Sequence, residues 1–162
     1  MTLFVGIDNG LNGGIACLNN NKTATVWKMP VIKGTKTDYD IREIIKIIKT
    51  FKRGKCYIVL EKAHPRVVSG KRACFMTGYG YGLMQGLLSA LDIPYMVVTP
   101  QAWQKEILSG ITEKDTKVAS IKFCQKMFPN VDLTPTERSV KPHDGISDAL
   151  CMAEYCFRIN RG

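Results

Sequence analysis

Residues 3–29 of the chain are LFVGIDNGLNGGIACLNNNKTATVWKM, three apolar runs separated by two short turns. The first run ends at Asp8, and a turn rich in asparagine and glycine follows it. The second and third runs flank residues 19–22 (NNNK), and asparagine tolerates the left-handed backbone of tight hairpins. We therefore predict an antiparallel meander of three strands, at residues 3–8, 14–18 and 23–29.

The rest of the sequence alternates helical and strand patterns. Asp38 is a plausible N-cap for a helix from Tyr39 to Arg53, and residues 56–61 form a short apolar run typical of a buried parallel strand. A last strand is predicted at residues 95–98. Further helices are predicted at 74–91, 101–108, 114–127 and 143–159, and loops at 30–37, 62–72 and 129–142. This order predicts an α/β fold with a mixed sheet.

Composition indicates one globular domain over residues 1–162. The apolar content of 45% and the charged content of 23% are ordinary for such a domain, and no apolar run approaches the ~20 residues that span a bilayer. The N-terminal residues lack the features of a secretory signal, and the six cysteines show neither metal-binding nor disulfide spacing. We therefore expect reduced, buried cysteines and a cytoplasmic protein.

The chain is basic, with 23 Lys and Arg residues against 14 Asp and Glu residues and a net charge of +9. Such a balance favours a polyanionic partner, above all nucleic acid. The alternative is a protein that is basic without having such a partner.

Four carboxylates are the candidates for chemistry: Asp8, Glu61, Asp144 and Asp148. Asp8 and Glu61 each end an apolar run, and the other two are four residues apart, which places them on one face of a helix. Clustered acids repel one another unless a cation lies among them, and Mg²⁺ prefers oxygen ligands. Taken singly, an acid at a strand end could be a turn residue, and Asp144 could cap the last helix after Pro142.

Three segments of the chain resemble the RuvC-like resolvases of the ribonuclease H-like superfamily, and especially their phage-encoded branch. The segments are Gly6-Ile7-Asp8-Asn9-Gly10, Val59-Leu60-Glu61-Lys62 and residues 143–150 (HDGISDAL). Residues 69–71 (SGK), followed by Gly78 to Gly86, also resemble the family's glycine-containing loop and central helix. Together these segments span nearly the whole chain in the family's order.

The resemblance implies a five-stranded mixed sheet flanked by helices, a homodimer, and two Mg²⁺ or Mn²⁺ ions per active site. It implies hydrolysis of DNA strands at Holliday junctions, as in recombination and repair, and a host cytoplasm as the location if a phage encodes the protein. By the same resemblance Asp8 would bridge both ions, Glu61 and Asp148 would each hold one, and Asp144 would complete the set.

The chain departs from the cellular members of this family at two places. Many of them have a ligand three residues before the last acid, where this chain has Gly145. We therefore assign that role to Asp144, with His143 as an accessory residue. Cellular members also carry an aromatic residue shortly after the glutamate, whereas residues 62–66 (KAHPR) contain none. We therefore expect cleavage of other branched DNA, such as three-way junctions and forks, as well as Holliday junctions.

Basic residues near these segments are candidates for contacts with DNA phosphates. They are Lys62, Arg66, Lys71, Arg72, Lys105, Lys114 and Lys117. Each of them alone could instead be a solvated surface charge. Trp103, Tyr79 and Tyr81 are expected in the core or in a dimer contact rather than stacked on bases.

Glycines recur every four residues in the predicted helix 74–91, at positions 78, 82 and 86. Each glycine destabilises a helix by about 1 kcal/mol relative to alanine. We therefore expect the face that they form to pack closely against another backbone, within the domain or across a dimer.

The predicted function is that of a metal-dependent, structure-selective endonuclease acting on branched DNA. Two alternatives share the fold: a nuclease of structured RNA and a catalytically inactive protein that binds branched DNA. A third class, the sugar-kinase-like or actin-like ATPases, has a similar first hairpin but needs a much longer chain.

Overall fold

The computed structural model describes residues 1–64, 70–136 and 138–161. Within these ranges it contains seven strands and five α-helices. The strands are β1 (Thr2–Asp8), β2 (Gly14–Asn19), β3 (Ala24–Lys28), β4 (Val31–Lys33), β5 (Thr37–Tyr39), β6 (Lys55–Glu61) and β7 (Met96–Val98). The helices are α1 (Ile41–Thr50), α2 (Lys71–Ala90), α3 (Pro100–Ile107), α4 (Thr116–Met127) and α5 (Asp144–Ile159), and a 3₁₀ turn at Phe51–Arg53 follows α1.

A five-stranded sheet in the order β3-β2-β1-β6-β7 forms the centre of the fold. β1, β2 and β3 are antiparallel neighbours, whereas β6 runs parallel to β1 and β7 runs parallel to β6. The predicted mixed sheet and its antiparallel meander are therefore confirmed. Ile7 of β1 lies beside Leu60 of β6 in this parallel pair. Asp8 and Glu61, the next residues of the two strands, therefore lie at the same edge of the sheet.

Helices cover both faces of this sheet. On one face Phe4, Ala16 and Leu18 join the core formed with α3, α4 and α5, and on the other Val5 and Ile7 join the core formed with α1 and α2. Phe4 and Val5 point to opposite faces because successive side chains of a strand alternate. The long apolar run of β1 is thus explained by burial on both sides.

The N-terminal half of α5 crosses β1 at backbone contact. A Cβ added to Gly6 would overlap the Ala149 carbonyl oxygen and the Ala153 amide, so only glycine fits at that crossing. The same closeness brings the first two turns of α5, with Asp144 and Asp148, to the edge where β1 ends.

The segment from Pro30 to Asp40 differs from the prediction. The predicted loop at 30–37 contains strand β4, which pairs with β5 in a two-stranded sheet. Asp38 is not the cap of α1, because it lies in β5 and its carboxylate accepts a hydrogen bond from the Tyr39 amide at 2.8 Å. The N-cap is Asp40, whose Oδ1 accepts from the Glu43 amide at 3.1 Å.

Helix α2 begins earlier than predicted, with Gly70 as its N-cap, so Lys71 and Arg72 belong to its first turn rather than to a loop. A Cβ added to Gly78, Gly82 or Gly86 would have no neighbour within 4 Å among the residues that the structure describes. The prediction that this glycine face packs within the domain is therefore wrong, and its packing across a dimer stays a prediction.

All six cysteines are free thiols, and four of them are buried, as expected. None of the helices in the described ranges is both long and apolar enough to cross a membrane.

Candidate active site

The four predicted carboxylates line one cleft of about 420 Å³ at the edge of the sheet where β1 and β6 end. The turn after β1 forms one wall and the first turns of α2 form the other. The lining residues are Asp8, Gly10, Leu11, Asn12, Gly13, Glu61, Ala73, Met76, Thr77, Lys117, Asp144, Gly145 and Asp148. The structure therefore brings together side chains from β1, β6 and α5, and the basic residue Lys117 from α4.

Asp8 ends β1 and lies at the centre of this group. Its Oδ1 accepts a hydrogen bond from the Gly10 amide at 3.1 Å. Burial raises the pKa of Asp8 to about 6; the charge of Asp144 adds to this shift, while the Gly10 amide and Lys117 oppose it.

Asp148 lies one helical turn after Asp144 on α5. Burial raises the pKa of Asp148 to about 7, the Ser120 side chain and Lys117 oppose the shift, and the charges of Asp8 and Asp144 add to it. Asp8 and Asp148 thus lie where a negative charge costs free energy, partly because the charge of Asp144 repels both.

Glu61 ends β6 and is held by two neighbours that the sequence did not reveal. The indole Nε1–H of Trp103 donates to its Oε1 at 2.8 Å. The side-chain amide of Asn9 donates to its backbone carbonyl at 2.6 Å, and the Tyr39 hydroxyl donates in turn to the Asn9 carbonyl at 2.8 Å. These contacts join the ends of β1, β5 and β6 and the start of α3.

Asp144 is the first residue of α5 and forms an ion pair with Lys117. Partial burial acts to raise the pKa of Asp144, but the hydrogen bond and charge of Lys117 outweigh it and lower that pKa. The alternative that Asp144 merely caps α5 is wrong, because the cap is His143.

His143 has a structural role at the start of α5. Its ring Nδ1 accepts a hydrogen bond from the Ile146 amide at 3.3 Å. Burial, with the charge of Lys28, lowers the pKa of His143. Its predicted accessory role would therefore fall to its other ring nitrogen, Nε2.

Gly145, between Asp144 and Asp148, lies at a position with no room for a side chain. A Cβ added there would overlap the Asn12 carbonyl oxygen and the backbone of Gly13. A ligand side chain three residues before Asp148 therefore does not fit, and the carboxylate that reaches the cleft is the one at position 144.

The chemistry of these side chains fits a hard divalent cation. Carboxylate oxygens are the ligands that Mg²⁺ and Mn²⁺ prefer, and four of them share the cleft. In this conformation no three Asp, Glu, His or Cys side chains of the described residues lie close enough to hold an ion together. Protein donors hold three of the acids instead, namely the Gly10 amide, Trp103 and Lys117. Some of these carboxylates would have to move closer together before they could bind an ion jointly.

The predicted DNA-binding residues differ in where the structure places them relative to the acidic cleft. Lys117 lines the acidic cleft, and Lys71 and Arg72 are exposed beside Ala73, which also lines it. Lys62 and Lys114 are exposed just after β6 and just before α4.

Two predicted DNA-binding residues are not placed at the acids. Lys105 lines a different cleft, between α3, α4 and α5, so the structure does not bring it to the carboxylates. Arg66 lies outside the described residues.

The fold is similar to that of RuvC. A structure of Thermus thermophilus RuvC in complex with a Holliday junction substrate matches 98% of this chain and 96% of its own chain, with a TM-score of 0.59 and 10% identity. Another structure of the same RuvC matches 97% of this chain and 95% of its own, with a TM-score of 0.57 and 10% identity. Neither a protein-family model nor a curated protein sequence matches the chain. At 10% identity the likeness establishes a RuvC-like fold and nothing finer.

Proposed function

We propose that this protein is a divalent-metal-dependent endonuclease that hydrolyses DNA strands at Holliday junctions and at other branched DNA. One observation carries the proposal: in a RuvC-like fold, β1, β6 and α5 bring four carboxylates to a single cleft, and α4 adds one lysine. A protein that only binds DNA gains nothing from acids that face a polyanion. Their presence in the cleft therefore favours catalysis over the inactive alternative.

Asp8, Glu61, Asp144 and Asp148 would hold the metal, with Asp8 shared between two ions. When bound, such ions generate a nucleophilic water and stabilise the leaving oxygen of a phosphodiester. The residues themselves supply the oxygen ligands and fix their position, since Asp8 and Glu61 extend from neighbouring parallel strands. Lys117, released from Asp144, would neutralise phosphate oxygens at the same cleft.

Branched DNA is the substrate that the fold and charge favour. The similar RuvC structure contains a Holliday junction substrate, and this chain has a net charge of +9 with exposed Lys62, Lys71, Arg72 and Lys114. Because residues 62–66 include no aromatic residue, we propose activity on three-way junctions and forks as well. Membership of the phage-encoded branch stays a prediction from the sequence motifs.

The proposed partner at α2 is a second copy of the chain. No charged residue occurs from position 73 to 91, although one face of this helix is open to solvent. Phe75 at its start is 69% exposed, and Gly78, Gly82 and Gly86 continue the same face. A second helix could approach this face closely, and a dimer would present two clefts to a junction with paired arms.

Cleavage of a substrate panel tests this function. Four-way junctions, three-way junctions, forks, linear duplex and structured RNA would be incubated in parallel with Mg²⁺ or Mn²⁺, and with EDTA as the control. We expect cleavage of the branched DNAs with metal only. Cleavage of RNA alone would point to the ribonuclease alternative. Junction binding without any cleavage would contradict the proposal.

A further inference from the structure

We propose that Trp103 is a positioning residue for the metal-binding carboxylate of Glu61. The indole N–H donates to Glu61 Oε1 at 2.8 Å, and Trp103 itself is only 1% exposed. This inference rests on the proposed function in one respect, which is that Glu61 binds the metal.

The backbone around Trp103 is fixed on the sheet side. The last residue of β7, Val98, lies beside Glu61 in the ladder, and its carbonyl accepts from the Lys62 amide at 2.7 Å. Thr99 then caps α3, with its hydroxyl accepting from the Ala102 amide at 3.3 Å. Trp103 is the fourth residue after Thr99, and Val98, just before Thr99, pairs with Glu61. The backbone that carries the indole is therefore anchored beside the end of β6 that carries Glu61.

The packing around the indole fixes it on the helix side. Trp103 belongs to the core formed by α3, α4 and α5, together with Ile107, Phe123 and Leu150. A buried ring in such a core keeps one rotamer. This packing holds its N–H toward the Glu61 carboxylate.

A neutral donor suits a metal ligand better than a charged one. The indole N–H satisfies one acceptor position of the Glu61 carboxylate and fixes the orientation of that carboxylate. It adds no positive charge, so a cation that binds Glu61 does not have to displace one. A carboxylate has about four acceptor positions, so an indole N–H at one of them does not by itself exclude an ion from the others. The contrast is with Asp144, whose partner Lys117 brings a full positive charge into the cleft.

The chain supplies a matched control, because it contains one other tryptophan. Trp27 lies on β3, is partly buried, and packs against Phe51 beside the core on the opposite face of the sheet, with the ring centroids 6.0 Å apart. Replacing either tryptophan with phenylalanine removes an indole that packs on a core, but only Trp103→Phe removes a hydrogen bond to a carboxylate of the cleft.

Mn²⁺ titration calorimetry of the free protein, without DNA, tests the inference. We expect Trp103→Phe to weaken Mn²⁺ binding by about 10–100-fold, the usual effect of removing a hydrogen-bonding partner of a metal ligand. Trp27→Phe should leave Mn²⁺ affinity within about twofold of the parent even if it lowers the Tm equally. Equal Mn²⁺ affinity of Trp103→Phe and the parent protein would overturn the inference.

A second measurement covers the case in which Trp103→Phe does not fold. In Trp27→Phe protein, Trp103 is the only indole, so its emission reports on the contact with Glu61. We expect saturating Mg²⁺ to shift this emission and Glu61→Gln to abolish the shift. Unchanged emission in a protein whose calorimetry shows ion binding would overturn the inference and leave the proposed metal site standing. A parent protein that binds neither Mn²⁺ nor Mg²⁺ would overturn both this inference and the proposed metal site.

Discussion

Lys117 sets the charge balance of the cleft at the scale of single residues. Its ammonium pairs with Asp144, and it opposes the upward pKa shifts that burial imposes on Asp8 and Asp148. In the absence of metal this lysine supplies the positive charge that clustered carboxylates need. It would therefore compete with a cation for the same acids.

Replacing Lys117 with methionine should tighten metal binding. Loss of one half-exposed ion pair changes the free energy by about 1 kcal/mol, so we expect roughly fivefold tighter Mn²⁺ binding by calorimetry. Affinity for a four-way junction should fall in the same variant, because a phosphate contact is lost. Lys114→Met, an exposed charge just before α4, is the control for Mn²⁺ affinity. Weaker Mn²⁺ binding by Lys117→Met would contradict this role.

Asp148 should make the metal-free protein less stable as the pH rises. Folding raises the pKa of Asp148 from 3.8 to about 7, so in this window the folded protein holds a proton that the unfolded chain has lost. Asp148 faces the charges of Asp8, Asp144 and Lys117. The substitution Asp148→Asn removes the free-energy cost of burying a negative charge at this position. We expect its Tm in EDTA to exceed that of the parent at pH 8, by at least about 2 °C, and to match it near pH 4.

Saturating Mg²⁺ should reverse this order at pH 8, since only the parent protein gains the full set of ligands. If the Tm difference between Asp148→Asn and the parent is the same at both pH values, the difference does not come from the charge of Asp148.

At the scale of elements, the contact between α5 and the turn after β1 determines which carboxylate reaches the cleft. Gly145 lies against Asn12 and Gly13 without room for a side chain. Gly145 lies between Asp144 and Asp148 in the sequence. The positions of both aspartates therefore depend on the contact of Gly145 with the turn after β1.

Gly145→Ala should destabilise the protein despite alanine's better helix propensity. The added methyl group must displace the turn, and overpacking of this kind costs about 1–3 kcal/mol in the free energy of unfolding. Urea denaturation would measure it. Gly78→Ala, at an open position of α2, is the control and should be neutral or stabilising in the monomer. Unchanged stability of Gly145→Ala would contradict the close packing.

The open face of α2 predicts a dimer that a single side chain can break. Gly82→Arg places a long charged side chain on this face, and we expect sedimentation to show half the mass of the parent at micromolar concentration. Gly34→Arg, in the exposed turn between β4 and β5, is the control. A parent protein that sediments as a monomer, both free and on junction DNA, would exclude the dimer.

The strands and helices with strong apolar patterns were predictable from the sequence. β1, β2 and β6 have long apolar runs because both of their faces are buried, and α5 has a clear helical period. The β4–β5 hairpin was missed because Val31–Lys33 is short and largely exposed, so it lacks such a pattern. The choice between Asp38 and Asp40 as a cap depended on this pairing, which no local signal indicates.

The candidate site was only partly predictable for a similar reason. Asp8 and Glu61 could be found because they end apolar runs, and Asp144 and Asp148 because they share a helix face. Trp103 and Asn9 could not be found, since each contacts Glu61 across more than 40 positions of sequence. The indole in particular looks like an ordinary core residue until its hydrogen-bond partner is known.

At the scale of the whole molecule, charge is divided between one acidic cleft and a basic remainder. Four of the 14 acidic residues line the cleft, so the rest of the surface is more basic than the net charge of +9 indicates. Such a surface attracts DNA, while the cleft repels its phosphates until cations fill it. Metal should therefore be needed for cutting and not for binding.

Asp8→Asn separates these two steps most directly. Asparagine keeps an oxygen that can accept a hydrogen bond from the Gly10 amide, so the turn after β1 should hold, while the proposed central metal ligand and one negative charge are lost. The measurement is binding and cleavage of a four-way junction with Mg²⁺, by the variant and the parent protein in parallel. We predict that cleavage falls by at least about 100-fold while junction affinity stays equal or increases. Cleavage at the parent rate by Asp8→Asn would contradict the metal-dependent nuclease.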